Sequence, residues 1–113
     1  MSDDDASVLR AAADRLELLA ARTTGGDWRL GGLLATRPEV IAHAPDGGTE
    51  HVAEARARTG EWIAALSPTI AAPLADWLRG AARAEAEGEP VARAAVQLAR
   101  ALLSRLDRET SNG

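Results

Sequence analysis

The sequence predicts a mostly helical α+β fold, with four helices and a small β-hairpin between the first helix and the second. Two observations lead to this prediction. Apolar residues recur at spacings of three and four in four stretches of the chain, which is the period of an amphipathic helix. Between the first two stretches, short runs of β-type residues are separated by Gly and Pro, which is typical of strands joined by turns.

The first helix is predicted at about residues 5–22, with acidic residues 3–5 at the positive end of its dipole. Its apolar stripe is Leu9, Ala12, Ala13, Leu16, Leu19 and Ala20. Residues 23–26 then end it, with Gly supplying a positive φ. The β-type runs that follow lie at residues 27–30, 33–35 and 39–43. Because an isolated hairpin is marginal in water, we expect this one to pack against helices.

A strong turn at residues 45–48 precedes Thr49, which is a favourable N-cap for a second helix running to about Leu66. Gly60 weakens that helix by about 1 kcal/mol relative to Ala. Its predicted inward stripe is Val52, Ala55, Thr59, Trp62, Ile63 and Leu66. Ser67 and Pro68 end the helix in a short irregular turn over residues 67–70.

The third helix is predicted at about residues 70–87 and the fourth at about residues 90–107, separated by the Gly-Glu-Pro break at 88–90. Their apolar stripes are Ile70, Leu74, Trp77, Leu78 and Ala81 in the third, and Val91, Ala94, Ala95, Leu98, Leu102 and Leu106 in the fourth. Leu103 widens the fourth face enough to contact another subunit. Residues 1–108 are expected to form one helical domain, and residues 109–113 a disordered tail.

Composition limits the function classes. The chain of 113 residues has no Cys, Phe or Tyr, and its aromatic side chains are Trp28, Trp62 and Trp77. Much of the apolar content is Ala, which buries little area, so we expect a thin core that a second copy of the chain completes. The net charge of −4 disfavours non-specific nucleic-acid binding. The acidic start and the lack of a long apolar run predict a cytoplasmic protein that does not enter a membrane.

Two segments carry a resemblance to a known family. The first is a Thr-x-Gly-x-Trp element after the first helix, formed by Thr24, Gly26 and Trp28. The second is an aromatic-Ile-Ala-x-x-Ser-Pro element before a Leu-rich helix, formed by Trp62, Ile63, Ala64, Ser67 and Pro68. Over about residues 6–85, their order resembles the Ead-like family of phage early-region proteins and its actinobacterial and actinophage relatives. Asp27 departs from the pattern, since Pro is common there, and the connection between the elements is short. The resemblance implies a phage or prophage context and supplies no catalytic residue.

The candidates for a ligand site are Trp28, His43, His51 and Trp62. His51 and Glu54 could share a metal on one helix face, but the H-E-x-x-H pattern is absent and a third ligand would have to come from elsewhere. The alternative is that both His are ordinary surface residues and that the Trp side chains pack in the core or a dimer interface. We therefore predict no catalytic residue, no cofactor and no metal site.

The expected function is that of a small non-catalytic module for protein interaction or regulation, of phage type, which binds itself or another protein. Two alternatives stay open. One is a small-ligand-binding or enzymatic domain, with a pocket between the hairpin and the second helix. The other is a DNA-binding regulator that uses the second and third helices as a helix-turn-helix. The third helix offers no base-reading side chain before Asp76, and Arg79 and Arg83 come late in it.

Overall fold

The computed structural model describes residues 2–31, 38–89 and 92–112, with the backbone alone for residues 2–4, 57 and 107–112. In chain order the elements are α1 (Ser2–Arg22), β1 (Asp27–Gly31), β2 (Glu39–His43), β3 (Thr49–Glu54), α2 (Ala57–Ala65), a 3-10 helix (Pro68–Ile70), α3 (Ala71–Ala86) and α4 (Arg93–Asn112). The predicted fold class is confirmed: the chain is mostly helical, with a small sheet between α1 and α2. The apolar run predicted at residues 33–35 and the predicted stripe position Val91 lie outside the described residues.

The chain forms two compact units. The helical unit comprises Met1–Leu19 and Ala72–Gly113, and the sheet unit comprises Ala20–Ala71. The predicted single domain over residues 1–108 stays a prediction. α4 runs to Asn112, past its predicted end near residue 107 and into the stretch predicted as a tail. No Gly or Pro occurs between Arg93 and Asn112 to end the helix earlier.

The core of the helical unit consists mainly of Ala from three helices. Its buried residues are Ala6, Leu9, Ala12, Ala13, Ala75, Leu78, Ala82, Ala95, Val96 and Ala99. On α3, Ala75, Leu78 and Ala82 recur at helical spacing and form one buried face. Of these ten residues, only Leu9, Leu78 and Val96 are larger than Ala.

The predicted stripes of the first and third helices are only partly right. Leu9, Ala12, Ala13 and Leu78 are buried as expected. Leu19 on α1 is 49% exposed and Trp77 on α3 is 47% exposed, although both were predicted to face inward. The buried faces of α1 and α3 consist mostly of Ala residues. Several larger side chains lie at the edges of these faces and are therefore partly exposed.

The sheet unit contains a three-stranded antiparallel sheet in the order β1-β2-β3, one strand more than the predicted hairpin. The pairs Trp28–Ala42 and Leu30–Val40 place these four residues on one face of the sheet. Val40 and Ala42 are buried, so this face holds the core of the unit. None of the helices in the described part of the chain has the length and apolar content needed to cross a membrane.

The predicted second helix is wrong in its first part. Thr49 begins β3 instead of capping a helix, and α2 begins only at Ala57. The turn before β3 explains the difference. Gly47 takes a φ of 91°, and the Ala44 N–H donates to the Gly48 carbonyl at 2.8 Å. This turn returns the chain onto β2, so cross-strand hydrogen bonds compete with the helical preference of the same residues.

α2 packs on the sheet through small residues. Gly60 is buried, and a Cβ at that position would lie 2.6 Å from Leu30 Cδ1 on β1. Ile63 and Ala64 are partly buried, and Ser67 is buried one turn further on. The close approach at Gly60 turns this side of α2 towards the sheet. Trp62 and Leu66, predicted to point inward, therefore lie on the outer side and are 68% and 53% exposed.

Candidate functional site

The four candidate ligand-site residues all lie in the sheet unit, but on different surfaces. Trp28 shares the buried sheet face with Ala42, whereas His43 and His51 lie on the opposite face, as the register of β2 and β3 requires. Trp62 is on the outer side of α2. The structure therefore does not gather these side chains around one pocket.

His51 is held by a carboxylate on the neighbouring strand. Its Nδ1 lies 2.7 Å from Glu39 Oε2, and both side chains are exposed on the open face of the sheet. An exposed pair of this kind contributes little to stability, because water and salt screen it. In the described part of the chain, no three His, Asp or Glu side chains come together as a metal site requires.

Thr24, Gly26 and Trp28 form the corner between α1 and β1. The Trp28 indole Nε1 donates to the Thr24 carbonyl at 3.0 Å, and the Thr24 hydroxyl donates to Glu50 Oε2 at 3.1 Å. Gly26 has a φ of 94°, and a Cβ there would lie 2.7 Å from the His43 carbonyl oxygen. These contacts explain the Thr-x-Gly-x-Trp element as a structural corner, with the indole N–H of Trp28 already satisfied.

An open cleft of about 400 Å³ lies beside this corner. It is lined by Thr24, Gly25, Ala42, Ala44, Asp46, Gly48, Thr49 and Glu50. Its two carboxylates already serve the local fold: Asp46 Oδ1 accepts the Gly48 N–H at 2.8 Å, and Glu50 accepts the Thr24 hydroxyl. None of the four candidate residues lines this cleft, so it is not the pocket expected between the hairpin and the second helix.

Arg79, considered above for DNA contact, is bound to two carboxylates within the helical unit. Its Nη2 donates to Asp14 Oδ1 and to Glu17 Oε1, at 2.7 Å each. The hydrogen bonds that Arg79 donates to Glu17 and Asp14 raise the pKa of Arg79, and the one to Glu17 lowers the pKa of that carboxyl. The guanidinium is thus oriented towards α1 by an ion-pair cluster, which is a structural role.

The large apolar side chains of residues 57–70 lie mostly outward. Trp62, Leu66 and Ile70 are 68%, 53% and 39% exposed and follow each other at four-residue spacing. Arg58 and Glu61, both exposed, lie beside Trp62 on the outer side of α2. We call these five residues the α2 surface. It is the largest departure from the expected burial, because Trp62 belongs to the predicted inward stripe and is the most exposed of the large apolar side chains in the described residues.

The sequence contains a signal for this surface that the stripe of large apolar residues does not show. Gly60, Ile63, Ala64 and Ser67 have the spacing of one helix face, and that face is the one turned to the sheet. A stripe defined by side-chain size contains Trp62 and Leu66 instead. The sequence does not distinguish Arg58 and Glu61, since charged residues on a helix are ordinarily solvated.

Comparisons with models of protein families, with curated proteins and with solved structures find no match to this chain. The resemblance to the Ead-like family stays a prediction, and the function has to be argued from the geometry of the chain itself.

Proposed function

We propose that the chain is a small non-catalytic interaction module that binds a protein partner through the α2 surface. The observation that carries this proposal is the exposure of Trp62, 68% of which lies in solvent. Trp can bury more apolar area than any other side chain, and this chain has three in all. Trp28 packs at a sheet corner, whereas Trp62 stands on a helix whose buried positions are small.

The composition of the α2 surface is that of a binding centre. Trp and Arg are the residue types that most often dominate the binding energy of protein interfaces. Trp62 and Leu66 are one helical turn apart, and such spacing is how an amphipathic helix presents anchors to a partner. The charged pair Arg58 and Glu61 would form the polar rim around the Trp anchor.

A phage-type accessory or regulatory role is part of the same proposal. It is supported by the second element of the family resemblance, which includes Trp62. Two other residues of that element shape the turn after α2: Ser67 is buried, its Oγ lies 2.7 Å from Thr69 Oγ1, and Pro68 begins the 3-10 helix. Ser67 and Pro68 therefore have structural roles, which leaves Trp62 as the member of the element whose position serves contact with a partner.

The test is a quantitative capture experiment with the wild-type chain, Trp62→Ala and Trp77→Ala, in which a second, differently tagged copy of the chain is also counted as a partner. Trp77, 47% exposed on α3, is a matched exposed Trp outside the α2 surface. We expect Trp62→Ala to lose the partner and Trp77→Ala to retain it. Since Trp62 is exposed, both variants should keep the wild-type circular dichroism spectrum. A partner set that Trp62→Ala leaves unchanged would refute the proposal.

A further inference from the structure

We propose that the partner at the α2 surface is a second copy of this chain, with the two α2 helices packed antiparallel across a two-fold axis. This inference rests on the proposed interaction function and identifies its partner. Three features of the structure support it: the arrangement of Arg58 and Trp62, the free ion-pairing capacity of the surface, and the distribution of large apolar side chains.

Arg58 and Trp62 make the α2 surface self-complementary. They are four residues apart, so they lie on the same outer side of α2, one turn from each other. In a symmetric contact, residue i meets residue j of the second copy and j meets i. An antiparallel pair of α2 helices therefore sets Arg58 of each copy against Trp62 of the other. A guanidinium over an indole is a favourable cation–π arrangement, and Arg is well suited to it because its planar group stacks.

The charges of the α2 surface are available for such a contact. Arg29, Arg79 and Arg100 are paired with carboxylates of their own unit. Within the described residues, neither Arg58 nor Glu61 takes part in an ion pair. Glu61 is adjacent to Trp62, so in the antiparallel pair it comes within reach of Arg58 of the second copy. Each copy thus supplies one cation and one anion to the other.

Trp62 contributes most of the exposed apolar area of the α2 surface. Trp62, Leu66 and Ile70 together expose on the order of 300 Å², taking about 150–250 Å² for a whole Trp. A stable interface buries about 800 Å² per partner, with an apolar centre inside a polar rim. In the described part of the chain six large apolar side chains are exposed, whereas the largest fully buried ones are Leu9, Leu78 and Val40. In the antiparallel pair the second copy covers Trp62, and Leu66 and Ile70 lie towards the ends of the contact.

The sheet edge at β3 is a poorer place for a second copy. The pairing of β2 with β3 has a bulge next to Val40 and Ile41, and Glu50 and Glu54 on β3 are exposed. Bulges and charges on an edge strand oppose the addition of another strand. These features favour the helix face over the β3 edge as the surface on which two copies meet.

The first test measures mass against concentration by light scattering. We expect the wild type to approach twice 11.8 kDa. Trp62→Ala and Arg58→Glu should weaken dimerisation at least about tenfold, since both copies carry the substitution and both Arg58–Trp62 contacts are lost. Trp77→Ala and Arg56→Glu are the matched controls, because they change an exposed Trp and an exposed Arg outside the α2 surface, and they should dimerise like the wild type.

The second test uses the absence of Cys from the chain. Thr59 is exposed on α2, between Arg58 and the buried Gly60, so it lies near the proposed two-fold axis. Thr59→Cys should form a disulfide-linked dimer on mild oxidation, whereas Ser104→Cys, exposed on α4, should form far less. A chain that stays monomeric at high concentration, or a dimer unchanged in both Trp62→Ala and Arg58→Glu, overturns the second copy as the partner. If another protein is then captured in a Trp62-dependent way, the proposed function stands; if nothing is, both proposals fail.

Discussion

Gly26 determines how the chain passes from α1 into the sheet. Its φ of 94° lies in the left-handed region, which side chains with a Cβ adopt only at a cost of about 1–2 kcal/mol. Its backbone also approaches β2 so closely that a Cβ would lie 2.7 Å from the His43 carbonyl oxygen. Both constraints act at this single residue, whereas Gly25 has an ordinary φ and open space around it.

We therefore expect Gly26→Ala to destabilise the chain by more than about 2 kcal/mol, because the carbonyl of β2 is backbone and cannot swing aside. Gly25→Ala is the control and should change the free energy of unfolding by less than about 0.5 kcal/mol. Urea unfolding followed by far-UV circular dichroism measures both. Equal effects of the two substitutions would show that the corner does not depend on the conformation of Gly26.

The sequence predicts this residue better than it predicts Trp62. A Gly pair after an amphipathic helix indicates a positive φ, and Gly26 has one. The Gly pair does not show which of the two residues has the positive φ, because that depends on the approach of His43 from β2. For Trp62, size alone favours the core, and only the contact between Gly60 and Leu30 shows that the other side of the helix is turned inward.

Among the elements, β3 and α2 show where local patterns fail. Residues 49–56 carry a good N-cap and helical spacing, yet Thr49–Glu54 pairs with β2. Hydrogen bonds to β2 decide that these residues form a strand. Their partners on β2 lie too far along the chain for a pattern of neighbouring residues to reveal them. By contrast, the 3-10 turn at Pro68–Ile70 and the start of α3 are predicted closely, since Ser67 and Pro68 act on their own neighbours.

The ion-pair cluster between α1 and α3 predicts a pH dependence. Arg79 lowers the pKa of Glu17 below its usual 4.5 in the folded chain. A group with a depressed folded pKa stabilises the fold above its unfolded pKa and loses that contribution as pH falls through the folded value. We expect the stability difference between wild type and Glu17→Gln to be present at pH 7 and to vanish as pH falls well below 4.5.

The effect should be small and should shrink in high salt, because the cluster is exposed. Arg79→Gln provides the control. In that background, Glu17→Gln should not change the stability further above pH 5, since Glu17 has already lost the guanidinium that pairs with it. Thermal unfolding of the four chains at several pH values measures this. A Glu17→Gln effect that is independent of both pH and Arg79 would contradict the role assigned to the cluster.

For the whole molecule, the sequence predicts the fold class and the scarcity of large core residues. Composition and helical period are enough for that, because they sum over many positions. The sequence does not predict which large residues remain outside, since that depends on contacts between residues far apart in the chain, such as the contact of Gly60 with Leu30 in the sheet unit. The candidate surface therefore emerges only from the folded chain.

A core built mainly of Ala concentrates stability in its few large members. Leu78 is fully buried among Ala6, Leu9 and the other residues of that core, whereas Leu19 on α1 is 49% exposed. Truncating a buried Leu costs about 2–5 kcal/mol, and a whole domain is stable by only about 5–15 kcal/mol.

We expect Leu78→Ala to lower the free energy of unfolding by about 2–5 kcal/mol, and Leu19→Ala to change it by less than about 0.5 kcal/mol. Denaturant unfolding at a fixed low protein concentration, where self-association does not contribute, measures both. If Leu78→Ala were as mild as Leu19→Ala, the helices would have to close around the lost volume, and stability would then be spread over the Ala contacts rather than concentrated in Leu78.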